Sequence, residues 1–274
     1  MGINTIGTGL GFSISGLVLP YFILQYGEIG WRYAWYLMGA FTFMGAFVCH
    51  SLLRDNPREK GLSLYGGDST EKTDDGIKKL TLFTAWREVI SEKEIWKLGC
   101  VYFMYGFSYI IYLTFFIAFL TKEVGLTPKI SGEIFAIIGL LCIISGTIWG
   151  SISDVLGRRY GSVLGYISLG VAYLLPAISQ GTLFIYVSAA LFGITMSAIP
   201  VIIAAAAGDA VGGRLAPAGL GVVTLFFGVG QAFGPAIAGW IKDTTGTFTY
   251  AFLVSTGVSF VGTILSLFLK RRAC

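Results

Sequence analysis

The sequence predicts an all-α, polytopic membrane protein with eight transmembrane helices. Of its 274 residues, 55% are hydrophobic and only 12% are charged, and the mean hydropathy is +0.76. A soluble domain carries about 25% charged residues, so this chain lacks the polar surface of a water-soluble globule or soluble enzyme. Crossing the hydrocarbon core of a bilayer takes about 20 mostly apolar residues. Eight segments meet that requirement, namely residues 4–25, 33–53, 95–120, 131–152, 161–179, 183–206, 217–241 and 249–269.

The basic residues between these spans predict the orientation of the chain. With a cytoplasmic N-terminus, 15 of the 19 lysines and arginines lie in inside connections. The outside connections hold only Arg32, Lys122, Lys129 and Lys242. Cytoplasmic connections are enriched in basic residues, so we predict that both termini are cytoplasmic and that the protein is a multi-pass protein of a cell membrane. This placement favours the lipid bilayer, and not a nucleic acid, as the partner of these charges.

The connection between spans four and five concentrates charge in ten residues. It holds Gly150, Asp154, Gly157, Arg158 and Arg159. The Asp154 carboxylate can pair with either arginine across a glycine turn. The other notable connection, residues 54–94, is long, polar and mixed in charge, which is typical of a linker. A regulatory or partner-binding loop is the alternative for that segment.

Two spans, a long cytoplasmic connection and six further spans resemble the major facilitator superfamily from its fifth helix onward. The charged connection then lies between family helices eight and nine, where the family repeats its loop signature, although Val155 replaces the basic residue expected there. The resemblance implies that residues 1–53 form the last two helices of an N-terminal bundle, 54–94 an inter-bundle loop and 95–274 a six-helix C-terminal bundle. Nothing corresponds to the first four family helices, so we expect a truncated fragment, with a natural eight-helix protein as the alternative.

Other stretches strengthen this resemblance. Gly30-Trp31-Arg32 is similar to the turn before family helix six, and the segment from Gly228 to Pro235 resembles family helix eleven. The segment from Ile199 to Asp209 is similar to bacterial permeases of the YbfB/YjiJ type, and this similarity implies the inner membrane of a bacterium.

The resemblance implies secondary or facilitative transport of a small organic solute or organic anion by alternating access. It also implies that the charged connection is a gating loop, in which Asp154 lies near the start of the first span and must separate from it as the cavity opens inward. The alternative is a non-transporting fragment, or a membrane scaffold or sensor derived from such a transporter. We expect no enzyme, cofactor or metal site, because the sequence has no histidine-rich cluster and no nucleophile elbow, and its four cysteines lack metal-ligand spacing. No ATP-binding motif occurs.

Span three carries a stripe of tyrosines that predicts a cavity wall. Tyr102, Tyr105, Tyr109 and Tyr112 follow i, i+3, i+7 and i+10 spacing, which places them on one helix face. Tyrosine hydroxyls need partners inside a membrane, so the stripe faces a cavity or packs on a neighbouring helix. Gln231 in span seven is a second candidate for the cavity wall. No ionisable residue lies near the middle of a span, so a coupling proton or ion would be handled by helices outside this chain, or transport is uncoupled.

Glycines and prolines in the spans predict close helix contacts and bends. Glycines four residues apart allow helix backbones to approach closely, and proline removes a backbone hydrogen bond. The predicted packing and bending residues are Gly7, Gly11, Pro20, Gly146, Pro200, Gly230, Gly234 and Pro235.

Overall fold

The computed structural model describes residues 5–53 and 82–270, and within these ranges the chain folds into helices and contains no strand. The α-helices are α1 (Thr5–Tyr26), α2 (Gly30–Leu52), α3 (Leu82–Ser91), α4 (Lys93–Lys122), α5 (Pro128–Leu156), α6 (Arg158–Ile178), α7 (Thr182–Thr195), α8 (Ala198–Val211), α9 (Ala216–Thr245) and α10 (Thr249–Ser266). The prediction of an all-α membrane protein is confirmed.

Seven helical runs in the described ranges are long and apolar enough to cross a membrane. The first of them, Thr5–Leu52, is 48 residues long, and the 3-10 turn Gly27–Ile29 divides it into α1 and α2. These two helices have 22 and 23 residues, so at 1.5 Å per residue each is about 33–35 Å long. Within the described residues, each of the eight predicted segments therefore overlaps helical structure.

The sixth predicted span, residues 183–206, is not one continuous helix. It consists of α7 and α8, two helices of 14 residues separated by a turn at Met196 and Ser197. Pro200 lies in the first turn of α8 and has no N–H to donate to the carbonyl of Met196. The predicted bend at Pro200 is thus an interruption of the helix three to four residues before the proline.

The described residues form two compact units, one of residues 5–21 with 82–270 and the other of residues 22–53. In the larger unit, α4 packs along α9 and α10, while α6 packs on α10 and α7.

Glycines allow the backbones of α4 and α9 to contact each other, since a Cβ atom at Gly234 would lie 2.6 Å from the carbonyl oxygen of Phe107. Gly230 makes a similar approach to Phe103 and Phe107.

The first part of α1 belongs to the larger unit because it packs closely on α5. A Cβ atom at Gly9 would lie 2.7 Å from the Gly139 carbonyl oxygen, and one at Gly16 would lie 2.7 Å from the Gly132 carbonyl oxygen. The hydroxyl of Ser13 donates to the carbonyl of Ala136 across this interface, at 3.2 Å. Small residues thus bring the two backbones together.

The predicted packing glycines Gly7 and Gly11 are not at this interface, because a Cβ atom at either would meet nothing within 4 Å. They lie on a different face of α1 from Gly9 and Gly16, which the structure places against α5. Gly146 is buried in α5, and Pro20 lies within α1 beside Gly132.

The smaller unit contains the end of α1, the 3-10 turn and α2. Gly27 has a φ of +54°, a left-handed conformation that favours glycine. The turn is tight enough that a Cβ atom at Gly30 would collide with the backbone of Phe22 and Ile23. The rings of Tyr26 and Tyr33 lie 4.7 Å apart across the turn.

Three predictions concern residues outside the described ranges. Most of the predicted inter-bundle loop, residues 54–81, lies outside them. So do residues 1–4, which are predicted to lie near Asp154, and residues 271–274 at the C-terminus, which is predicted to be cytoplasmic.

The last part of the predicted inter-bundle loop contains helix α3. This helix packs on α9 and α4, and its Val89 side chain is fully buried. The division at residues 53 and 94 stays a prediction.

Candidate functional site

The charged connection between α5 and α6 is a single residue, Gly157, with a φ of +85°. Only glycine adopts this conformation without strain. Gly150 and Asp154 therefore lie in the last two turns of α5, and Arg158 and Arg159 lie in the first turn of α6. The residues predicted as a loop are helical because both helices continue beyond the apolar segments.

Arg158 connects three side chains on α5 and α8. Its Nη1 donates to Asp154 Oδ1 and to Ser153 Oγ, each at 2.6 Å, and its Nε donates to Asp209 Oδ2 at 3.2 Å. The Arg158 side chain is 15% exposed, whereas those of Asp154 and Asp209 are 63% and 41% exposed. A guanidinium presents several N–H donors in a fixed plane, which allows one side chain to bridge both acids. Arg158 therefore pairs with Asp209 as well as with Asp154, its predicted partner.

Arg159 has a different environment from Arg158. Its guanidinium carbon lies 5.5 Å from the ring centroid of Tyr160. Its Nε is buried and makes no hydrogen bond within the described residues. In the described structure, Arg158 alone makes the predicted pairing with Asp154.

Side chains from α4 and α5 replace the backbone hydrogen bonds that are lost between α7 and α8. The hydroxyl of Tyr105 donates to the Met196 carbonyl at 2.6 Å, and Trp149 Nε1 donates to the Ile194 carbonyl at 2.9 Å. The Ser197 N–H donates to Ser145 Oγ at 3.1 Å. An unpaired backbone group in a bilayer costs several kcal/mol, so these hydrogen bonds stabilise the interruption.

Pro176 in α6 creates a second free carbonyl, at Ala172, and that carbonyl also has a side-chain donor. The hydroxyl of Ser188 donates to it at 2.7 Å. The Ser188 hydroxyl is in turn 2.7 Å from the hydroxyl of Tyr112. Tyr112 is fully buried among α4, α6 and α7.

The predicted tyrosine stripe of α4 thus divides between two environments. Tyr105 and Tyr112 point into the interior of the helix bundle, where they are 1% and 0% exposed. Both tyrosines pack on neighbouring helices, which is the alternative to a cavity wall that was given above for the stripe. Tyr102 and Tyr109 lie toward α9, where their rings stack on Phe227 at centroid distances of 4.6 and 5.7 Å. The Tyr105 ring contacts both environments, since it also stacks on Phe227, at 5.9 Å.

Gln231 of α9 lies beside Tyr109 of α4, so two of the candidate cavity residues are neighbours. The Nε2 of Gln231 donates a hydrogen bond to the hydroxyl oxygen of Tyr109. Both residues are near the middle of their 30-residue helices. The pair therefore presents polar groups at mid-membrane depth, which is unusual unless they face protein or water.

At the opposite end of the helices from Arg158, Glu123 joins α4 to the α9–α10 connection. Its Oε1 accepts from Lys242 Nζ at 3.0 Å and from the Phe248 N–H at 2.7 Å. Its Oε2 accepts from the Thr247 hydroxyl at 2.9 Å. This cluster is a structural cap for the start of α10.

Asp209, Trp149, Ser145 and Glu123 are absent from the predicted site, although each makes one of these hydrogen bonds. A carboxylate that follows an apolar run by itself signals only a helix end, so no pattern in the sequence pairs Asp209 with Arg158, 51 residues away. No group of three or more potential metal ligands occurs among the described residues.

Comparison with protein families identifies two matched regions. The family model of the Major Facilitator Superfamily matches residues 1–145 and 98–273. Together these regions include nearly the whole chain.

Curated relatives show the same similarity. A protein of Agrobacterium vitis named "Putative tartrate transporter" is 28% identical over 98% of this chain and 60% of its own length. "Probable sulfoacetate transporter SauU" of Cupriavidus necator is 23% identical over 94% of this chain and 62% of its own length. This chain therefore spans about three fifths of these relatives.

The fold is also similar to that of a bacterial homolog of the human lysosomal transporter Spinster, crystallised in an inward-facing and unoccupied conformation. The two structures have a TM-score of 0.61 and 18% sequence identity, and the match covers 97% of this chain and 67% of the other. This likeness concerns the arrangement of the helices.

Proposed function

Because the chain belongs to the major facilitator superfamily, we propose that it carries small organic anions across a membrane by alternating access. The observation that carries the proposal is the similarity, over more than nine tenths of this chain, to relatives named for tartrate and for sulfoacetate. Both are small organic acids that are anionic at neutral pH. This similarity narrows the predicted cargo from any small organic solute to an organic anion.

The interrupted sixth span and the Arg158 hydrogen bonds support the mechanism. In this proposal α8 is the inner half of a span whose midpoint lacks continuous helical hydrogen bonds, and its far end is held by the Asp209–Arg158 pair. A carrier that opens alternately to each side needs elements that change their contacts at one end. Breaking the pairing of Arg158 with Asp154 and Asp209 would free this end of α8, which we assign to the cytoplasmic side.

In the same proposal, residues 95–274 form one bundle of the carrier and residues 1–53 contribute two helices to the other. Both termini are cytoplasmic in a bacterial inner membrane, as the positions of the basic residues favour. A proton or other ion is the candidate coupling partner, and neither ATP nor nucleic acid takes part. A scaffold or sensor is not favoured, because the named relatives are transporters.

Uptake into proteoliposomes tests the proposal. The purified protein is reconstituted and offered radiolabelled tartrate, sulfoacetate, succinate, lactate and propionate, with protein-free liposomes as the control. We expect saturable uptake of at least one acid, which competes with its unlabelled form. Uptake no faster than in protein-free liposomes for every acid would contradict the proposed function.

A further inference from the structure

Three prolines, one each in α6, α8 and α9, leave backbone carbonyls without their usual helical donors. Pro176, Pro200 and Pro235 lie four residues after Ala172, Met196 and Gln231. Since proline has no N–H, the carbonyl four residues earlier loses its intrahelical partner. The three carbonyls differ in whether a side chain replaces that partner.

Two of the three carbonyls have a hydroxyl donor built into the bundle. Ser188 donates to Ala172, and Tyr105 donates to Met196, at 2.7 and 2.6 Å. The third carbonyl, that of Gln231, accepts no hydrogen bond from any side chain among the described residues. A carbonyl that lacks a donor inside a membrane is costly, so a group that supplies one would be bound favourably.

The side chains around this carbonyl offer complementary donors. The amide of Gln231 uses one N–H on the hydroxyl oxygen of Tyr109. Its second N–H and the hydroxyl proton of Tyr109 donate to nothing else within the described part of the chain. Tyr109 is 9% exposed, and its ring is held parallel to that of Tyr105 at a centroid distance of 4.6 Å. The hydroxyl is therefore held in place beside α9.

The face of α9 that carries Gln231 differs from a lipid-facing surface. Its residues follow i, i+3, i+7, i+10 and i+14 spacing and are small or polar: Gly221, Thr224, Gly228, Gln231 and Pro235. Cβ atoms at Gly221 and Gly228 would meet nothing within 4 Å. Large apolar residues with exposures of 49–68% occupy the adjacent face of the helix, namely Leu225, Val229, Phe233 and Trp240.

We propose that the middle of α9 binds a hydroxyl group of the transported acid, so that the substrates are hydroxylated organic acids. The Gln231 carbonyl accepts the hydroxyl proton, and Tyr109 and the Gln231 amide donate to the hydroxyl oxygen. A hydroxyl group fits because it both donates and accepts, whereas a carboxylate only accepts. No lysine, arginine or histidine lies in the middle of α4 or α9 to neutralise a carboxylate. This inference rests on the proposed function, organic anion transport.

Pairs of acids that differ by hydroxyl groups provide the test. Uptake of tartrate is compared with that of succinate, and uptake of lactate with that of propionate, as ratios of kcat/KM in proteoliposomes. We expect the wild-type protein to favour the hydroxylated acid by about tenfold or more in kcat/KM. This ratio corresponds to the net free energy of one to two hydrogen bonds. Gln231→Leu and Tyr109→Phe should reduce the ratio to about one to three.

Pro235→Ala is the most informative variant, because it keeps both side chains and restores the backbone N–H. The Gln231 carbonyl then pairs within α9, so we expect the preference for the hydroxylated acid to fall while uptake of succinate or propionate persists. Tyr250→Phe is the matched control. It also removes a phenol hydroxyl, but from an exposed position on α10, and the ratio should keep its wild-type value.

The outcomes separate this inference from the proposed function. If the wild-type protein carries both acids of each pair equally well, or if all three variants keep the wild-type ratio, this inference is overturned and organic anion transport stands. If the wild-type protein transports none of the five acids offered in the uptake experiment, both proposals fail. The thermal midpoint of each variant without ligand shows whether it is folded.

Discussion

The hydroxyl of Tyr105 donates a 2.6 Å hydrogen bond to the carbonyl of Met196, the group that Pro200 leaves without a helical partner. The two residues belong to different parts of the bundle and are 91 positions apart in the sequence. Their hydrogen bond shows how the bundle stabilises an interrupted helix in the middle of a span.

Tyr105→Phe should therefore lower the stability of the protein. The variant keeps the ring but leaves the Met196 carbonyl buried without its donor, at a cost of about 1–3 kcal/mol. We expect a lower thermal midpoint in detergent, measured by the change in tryptophan fluorescence. Tyr250→Phe, at an exposed position, should leave the midpoint unchanged.

A double-mutant cycle with Pro200→Ala tests the proposed cause. Alanine at position 200 supplies an N–H for the Met196 carbonyl, so the loss of the Tyr105 hydroxyl should cost less in that background. Equal effects of Tyr105→Phe in the two backgrounds would show that the hydroxyl does not compensate for the proline.

Arg158→Lys should slow transport although the positive charge is retained. A lysine ammonium is a point charge on a flexible chain, and it cannot reproduce the simultaneous hydrogen bonds of the guanidinium with Asp154, Ser153 and Asp209. We expect reduced initial rates of uptake, with normal amounts of protein in the membrane on immunoblots. Rates equal to those of the wild type would exclude a role for the bridging geometry.

Asp154→Asn should likewise slow uptake while membrane insertion stays intact. Because Asp154 is 63% exposed, its pairing with Arg158 contributes little to stability, and the expected effect is on rate. Combining Asp154→Asn with Asp209→Asn should have a smaller effect than the two single changes predict together, since both acids pair with one arginine. Strict additivity of the two effects would argue against a shared partner.

Gly139→Ala should destabilise the interface between α1 and α5. The added methyl group would lie 2.7 Å from the Gly9 carbonyl oxygen, and overpacking of this kind typically costs about 1–3 kcal/mol. Gly11→Ala is the matched control. It makes the same change of glycine to alanine in a helix, but a Cβ atom at position 11 meets nothing within 4 Å. The comparison of thermal midpoints is decisive, and a Gly139→Ala protein as stable as Gly11→Ala would refute the close approach.

Glu123→Gln should also lower the thermal midpoint. The carboxylate accepts hydrogen bonds from Lys242, Thr247 and the backbone of Phe248, and charge-assisted hydrogen bonds contribute about 1.5–3 kcal/mol. Glu133→Gln provides the control at an exposed position in α5. Similar midpoints for the two variants would mean that the Glu123 cluster does not stabilise α10.

The spans were predictable from the sequence because hydrophobic length is a direct physical requirement of the bilayer. The interruption of the sixth span was not, since residues 183–206 are apolar throughout and Pro200 indicates a bend without its extent. Whether the helix opens depends on side-chain partners from Tyr105, Trp149 and Ser145, which are distant in sequence.

The candidate site was predictable only in part for a related reason. Helical spacing places Tyr102, Tyr105, Tyr109 and Tyr112 within one face, but α4 packs against several helices, and a face that wide meets more than one neighbour. Tyr112 consequently meets α6 and α7, Tyr105 meets both the α7–α8 turn and α9, and Tyr109 meets α9. The pairing of Asp154 with Arg158 was predictable because it is local, at i and i+4.

The single glycine between α5 and α6 limits how the length of the chain can vary at this point. Surface connections usually accept inserted residues, but here an insertion after Gly157 would change the rotation of α6 relative to α5. Arg158 would then point away from Asp154 and Asp209, even though every side chain of the site would still be present. Natural variants of this protein should therefore show substitutions in this connection far more often than changes in its length.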